Sequence, residues 1–419
     1  MKAALFLPLG LAAAFPQLGA VPGVTNKHLL KRQQPGGNLP GGAANCPFNP
    51  DHKPGVGSTL RFPYGKARFG LPGTGKGGYQ VPAPGDEAHK FMPPTDKDIR
   101  GPCPGLNALA NHNFIARDGI THYTELVDAI QNVYNVGYDL ANFLAAFGIY
   151  VADGDPITRK LSIGCDATSR TSWNPVITGS EPGLNGHNKM EQDASLTRND
   201  YWTHGGDNFN FNVTLWERFV ESNGGEGALF DLPNVAKWQF KRYQESRSIN
   251  PQFYFGPIGF FQHGAASFLF TLFPNGNDGY LPTTQNTASF YGARKNNEGQ
   301  WEKVPERIPD NWVNRKTPYS LLDIAANIIA LYTPYPVGFG GNIDGKFVGI
   351  DFPPYIVGGS SNVSTPADVS CLLYQVISQP FPSSLNGVIT PVVEALSTLL
   401  QLIGGREFEN LGCPFPLTK

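Results

Sequence analysis

Hydrophobic positions recur at helical spacing in several separated stretches of this chain. Between Thr121 and Val151, the residues Leu126, Ile130, Val133, Val136, Leu140, Phe143, Leu144 and Phe147 keep to one side of a 3.6-residue repeat. Gly137 divides that stretch into two helices packed on one core. Further helical patterns cover Val213 to Val220, Val235 to Ser246, Ala265 to Phe273, Ser320 to Tyr332 and Val388 to Ile403. Alternating strand patterns are scarce, so the chain is expected to be mainly α. Phe-rich runs such as Phe253 to Phe261 are read as core. From Gln33 to about Arg100 there is little periodicity and much Gly and Pro, which predicts an extended segment that wraps a domain or stays partly mobile.

Composition sharpens this picture. The chain has 419 residues with 49 Gly, 37 Pro and 28 Phe, which suggests an aromatic-rich core joined by long irregular connections. A net charge of −2 points to neither nucleic acid nor an anionic membrane surface. Residues 1–20 read as a secretory signal peptide: Lys2, an apolar run from Ala3 to Phe15, then the small-residue pattern Leu18-Gly19-Ala20. Lys31-Arg32 is either a dibasic processing site, making a propeptide to residue 32, or an ordinary basic pair. Residues 21–94 form the Gly/Pro-rich segment, and no other apolar run suits a membrane span.

Secretion permits disulfides, and an odd set of five cysteines leaves one unpaired. Cys371 with Cys413 is the first expected pair and Cys46 with Cys165 the second. Asn212-Val213-Thr214 and Asn362-Val363-Ser364 are glycosylation sequons, expected at the surface. Gly70-Leu71-Pro72-Gly73-Thr74-Gly75-Lys76-Gly77 nearly matches a phosphate-binding loop, but Gly77 replaces the hydroxyl residue, and neither strand nor helix pattern flanks it. Nucleotide binding is therefore not expected.

The remaining cysteine, Cys103, stands between Pro102 and Pro104, just before the helical spacing of Leu106, Leu109 and Ala110. A helix N-terminus favours a thiolate there, and the prolines stiffen the loop, which suits a soft metal. The bland alternative is a buried cysteine or half of a disulfide. The run Pro102-Cys103-Pro104-Gly105-Leu106-Asn107-x-Leu109-Ala110-Asn111-His112-x-Phe114-Ile115-x-Arg117-Asp118-Gly119 resembles the signature of the secreted fungal haem-thiolate peroxidases, the family of chloroperoxidase and the unspecific peroxygenases. The resemblance implies a single haem-binding helical domain over residues 95–419, with haem b and Cys103 as axial iron ligand. Asn113 departs from the glycine usual after the Asn-His pair.

Glu191, Asp193 and Ser195 cluster oxygen ligands suited to a hard cation, although such a run alone is commonly a solvated turn. The resemblance implies that Glu191, Asp193 and Ser195, with the Gln192 carbonyl, hold Mg2+. Gln192 is neutral where the family has His or Gly, which counts against halide oxidation. The stretch matching the family's distal helix, Phe260 to Phe270, holds no glutamate and lacks the family's arginine; its single titratable residue, His263, is the expected acid-base group, with Glu306 as fallback. The implied function is a secreted peroxygenase or peroxidase acting on hydrogen peroxide and small organic substrates. A chloroperoxidase-like haloperoxidase and a non-catalytic haem- or ligand-binding member are the alternatives.

Overall fold

The helical periodicities resolve into ten α-helices among the described residues, 46–150, 154–175, 180–378 and 413, of a computed structural model. These are α1 (Pro104–Asn111), α2 (Tyr123–Tyr134), α3 (Tyr138–Tyr150), α4 (Thr168–Thr171), α5 (Val213–Ser222), α6 (Leu232–Ile249), α7 (Gly259–Thr271), α8 (Thr284–Tyr291), α9 (Leu321–Tyr332) and α10 (Pro366–Ser378). The break between α2 and α3 falls where Gly137 predicts it. Asn135 closes α2 in the left-handed conformation, with its N–H returned to the last turn. Helix α7 begins six residues before the hydrophobic pattern does, because Gln262, His263 and Gly264 interrupt the apolar repeat after its first turn. The pattern from Val388 to Ile403, the signal peptide and the dibasic pair lie outside the described residues.

A sheet component exists that the sequence reading underweights. Four small antiparallel sheets are present: Ile120–His122 with Lys160–Ser162, Tyr254–Phe255 with Gly340–Ile343 and Lys346–Gly349, Ala293–Lys295 with Trp301–Lys303, and Ile356–Val357 with Ser360–Ser361. Strands of two to four residues are too short to show alternation. Asp344-Gly345 and Gly358-Gly359 are two-residue hairpin signals, and all four residues have positive φ.

Helix α9 packs on α7, α10 and α6, and α2 packs on α3, around one aromatic-rich core. Helix α9 starts with a capping box in which Ser320 and Asp323 bond each other's backbone N–H. From Cys46 onward the Gly/Pro-rich segment runs over α2, whose polar side chains hold it. Asp128 accepts from Gly70 N at 2.9 Å, Gln131 from Gly73 N at 3.0 Å, and Asn132 exchanges two bonds with Ala67. The amides that a phosphate would need are thereby consumed within the fold. Both expected disulfides form, Cys46–Cys165 and Cys371–Cys413. Of the sequons, Asn362 is exposed, whereas Asn212 is half-buried and caps α5.

His112 and His263 are two of the buried imidazoles of this core. His112 is bonded to the His89 carbonyl at 2.8 Å and accepts from Ile308 N. His263 bonds the Gly259 carbonyl at 3.0 Å and is ringed by Phe255, Phe260 and Tyr332. Burial lowers each to about 4 from the ordinary 6.5. Between those values the unfolded chain binds more protons than the folded one, so stability is full above pH 6.5 and is lost as pH falls toward 4. We expect a loss of about 3 kcal/mol per imidazole. The check is the unfolding midpoint from pH 7 to pH 4.5, which His263→Leu should partly flatten; an unchanged slope in the variant refutes the assignment.

Candidate active site

Cys103 is the N-cap of α1, and its loop is fixed from behind by the residues that make up the surrounding motif. Asn107 reaches back one turn: its Oδ1 accepts from Gly101 N at 3.0 Å, and its Nδ2 donates to the Gly101 carbonyl and to Glu306 Oε1, each at 2.9 Å. Arg100 donates two bonds to Asn111 Oδ1, and Asn111 Nδ2 donates to the Glu306 carbonyl at 2.7 Å. Gly101 must be glycine, since a Cβ there would lie 1.8 Å from the Ile163 carbonyl oxygen. Asn113 sits at φ +58°, a left-handed conformation that glycine adopts freely and asparagine tolerates, so its departure from the family pattern is accommodated.

The sulfur opens onto a cavity of about 250 Å³. Its walls are Leu126, Ile130 and Tyr134 of α2, Leu140, Phe143 and Leu144 of α3, Phe261, Ala265, Ala266 and Phe268 of α7, Ile324 and Ile328 of α9, and Leu373 of α10. Glu191, Gln192, Ser195 and Arg198 form a polar edge. Cys103 is the free cysteine of the chain. Burial pushes its thiol above the ordinary value despite the opposing pull of the Gly105 and Leu106 amides and of Arg198. The helix terminus alone therefore does not ionise it, and a charged sulfur here calls for a cation against it.

Glu191 and Asp193 are buried, and burial raises both carboxyls, Asp193 to about 8. Glu191 Oε2 accepts from Asn208 Nδ2 at 2.6 Å and pairs with His187 Nδ1 at 2.8 Å, while its Oε1 has no partner. Burial opposes charge on His187, but Glu191 and Asp193 outweigh it and hold the imidazole above its usual range. Asp193 Oδ2 accepts from Tyr254 N, its Oδ1 has no hydrogen bond but lies 4.0 Å from His187 Nε2, and it does not reach the cavity wall. The structure thus brings Glu191, Gln192 and Ser195 to the edge and leaves Asp193 behind them. No group of three or more His, Cys, Asp or Glu side chains is arranged around a metal position among the described residues.

His263 does not reach the cavity. It points away from Phe261, Ala265 and Phe268, which lie about 140–160° around the helix from it, and into the aromatic pocket of Phe255, Phe260 and Tyr332. Glu306 does not line the cavity either: it receives the Asn107 amide and lies 3.7 Å from Arg198. Arg198 is a residue that sequence reasoning passed over. It is buried, stands over Phe211, and leaves Nε and Nη2 without a hydrogen-bond partner, although Nη2 is the atom 3.7 Å from Glu306 Oε1. The run from Glu191 to Arg198 contains it, but nothing in its spacing marks a role.

Comparison with known proteins places the chain in a family. A family model described as "Peroxidase, family 2" matches residues 89–317. The chain is 32% identical over 349 residues to an aromatic peroxidase, fscJ, of Fusarium equiseti, covering 78% of each chain. It is 35% identical over 294 residues to an aromatic peroxygenase of Cyclocybe aegerita, covering 69% of this chain and 71% of that one. It is 32% identical over 327 residues to a dothistromin biosynthesis peroxidase, dotB, of Dothistroma septosporum, covering 74% and 77%.

Asn107→Leu removes three buried hydrogen bonds from the cysteine loop and leaves the Gly101 amide and carbonyl and one Glu306 oxygen without that partner. Denaturant unfolding should show a loss of about 2–4 kcal/mol, at the scale of buried groups losing their partners. A loss below about 0.5 kcal/mol, the scale of a surface change, would show that the loop is held by other contacts.

Proposed function

The chain belongs to peroxidase family 2 and is an oxidoreductase that acts on peroxide, and from that premise we propose that it is a secreted haem-thiolate peroxygenase or peroxidase of small aromatic substrates. The observation that carries the proposal is the single free cysteine, held by a stiff loop at the head of α1 and open to a largely apolar cavity. Bound haem b would supply the oxidation chemistry. Cys103 would ligate the iron as thiolate and donate electron density toward it.

The residues present fit such a group. The apolar walls suit a macrocycle. The unpartnered Glu191 Oε1, together with Ser195 and the Gln192 carbonyl, would hold Mg2+ at the polar edge, with Asp193 supporting from behind. Buried carboxylates with raised pKa are the donors that a cation would stabilise as anions. The wall offered by α7 carries no group able to exchange a proton: Phe261, Gln262, Ala265, Ala266 and Phe268 are neutral. Peroxide activation therefore proceeds without a dedicated base on that helix, and neither His263 nor Glu306 is in place to serve. Neutral Gln192 lends halide oxidation no support. The two disulfides suit an oxidising compartment, and no helix among the described residues is long and apolar enough to cross a membrane.

The reduced, carbon monoxide-saturated protein should show a Soret band shifted far to the red, and Cys103→His should abolish that shift. A haem band that is unmoved by the substitution, or no haem band in folded, haem-supplied protein, sinks the proposal. His263→Leu should leave peroxide-dependent oxidation of a small aromatic near the wild-type rate, since the side chain it replaces does not reach the cavity. A collapse of turnover with the Soret band intact would restore His263 to the acid-base role.

A further inference from the structure

We infer that the Gln192 side chain orients the organic substrate, and that the substrate it selects is an uncharged aromatic ring carrying a hydroxyl or carbonyl group; this rests on the haem-thiolate reading above. Gln192 is 3% exposed, forms part of the cavity edge, and has neither Oε1 nor Nε2 hydrogen-bonded. A buried primary amide with both ends unmatched is costly, and native proteins keep such a group where a partner arrives. A cation does not meet the need. It can take the free oxygens of the neighbouring carboxylates, but an amide NH₂ is a donor only and ligates no metal. A carboxylate arm of the haem accepts from Nε2 alone and leaves Oε1 unmatched, so what satisfies both ends of Gln192 is a further molecule in the cavity that presents a hydrogen-bonding group of its own.

The walls narrow that molecule further. Phe143 and Phe261 both line the cavity, their planes 11° from parallel and centroids 5.5 Å apart, and Phe261 is backed by Phe147, so the wall meets a ligand with aromatic carbon that suits a ring. A charge pressed against the phenylalanines would be desolvated, and the cation at the cavity edge, Arg198, already faces Glu306. The nearest cationic group, Arg198, acts on Cys103 and lies beside Glu306 at 3.7 Å. A phenolic hydroxyl donates to Oε1 or accepts from Nε2, and a ring carbonyl accepts from Nε2, so either answers the amide while the ring meets the phenylalanines.

The test measures dissociation constants of naphthalene, 1-naphthol and 1-naphthoate for the haem-loaded protein, from the haem absorption change and from calorimetry. Wild type should bind 1-naphthol most tightly. Gln192→Met, similar in length and volume but without the amide, should weaken 1-naphthol about tenfold, the worth of one such hydrogen bond, and leave naphthalene unchanged or tighter. Equal shifts for both ligands, tightest binding of 1-naphthoate, or a variant that raises only the peroxide KM would each overturn the inference. If Gln192→Met does not load haem, the order of the three ligands on wild type decides. A wild-type protein without the red-shifted Soret band would count against the haem-thiolate reading instead, and calorimetry on that same protein would still report the naphthol preference.

Discussion

Everything at this site depends on keeping a polar, proline-flanked loop buried while its sulfur stays open to the cavity. A buried loop must find partners for its amides and carbonyls, and helices supply none for the residues before their first turn. Here the partners are asparagines of α1 itself. Asn107 closes on Gly101 in both directions, and Asn111 ties Arg100 to the strand of chain at Glu306. His112 adds the Ile308 amide. The segment from Glu306 to Ile308 is thus the back plate against which the cysteine is held, and Tyr134 of α2 braces α1 from the other side through the Gly105 carbonyl at 2.9 Å.

Charge is confined to one rim of an otherwise apolar chamber. Glu191, Asp193 and His187 form a buried cluster in which burial and mutual pairing oppose each other, and Asp200 continues it through its bond from Asn250 and its proximity to Arg242 at 3.6 Å. Glu191 Oε1, Asp193 Oδ1 and two nitrogens of Arg198 have no hydrogen-bond partner, which leaves the rim with unspent donors and acceptors of both signs. A bound group with carboxylate arms and an accompanying cation is the kind of ligand that would use both. The opposite wall, from α7 and α9, offers contact surface and no charge.

The parts legible in the sequence are those set by local pattern. Helices α2, α3, α5, α6 and α9 follow their apolar spacing, and the cysteine pairs follow from position. Helix α8 escapes notice because Thr284, Gln285, Asn286 and Thr287 give its first turn no apolar stripe, although Thr283 caps it properly. The placement of His263 is the instructive failure. Its spacing along the helix says only which residues share its face, and which face meets the cavity is decided by α9 and the aromatic pocket around Tyr332. Glu306 was legible as a polar residue and illegible as a clamp, since its partners lie about 200 positions away at Asn107 and Asn111.

The chemistry asked of such a chamber depends on where protons can come from. A group that titrates inside it must do so against strong desolvation, as the raised carboxyls at the rim and the lowered imidazole of His263 behind the wall both illustrate. Placing neutral amides at the boundary between rim and wall avoids that cost while still giving a bound molecule something to hydrogen-bond. Gln262 spends its NH₂ on the Asp193 carbonyl at 3.1 Å and so fixes the loop, whereas Gln192 spends neither end. The two glutamines thus divide the work between structure and ligand. The position one residue after Glu191 is where substitution can change what enters the cavity with little change to how the sulfur is held.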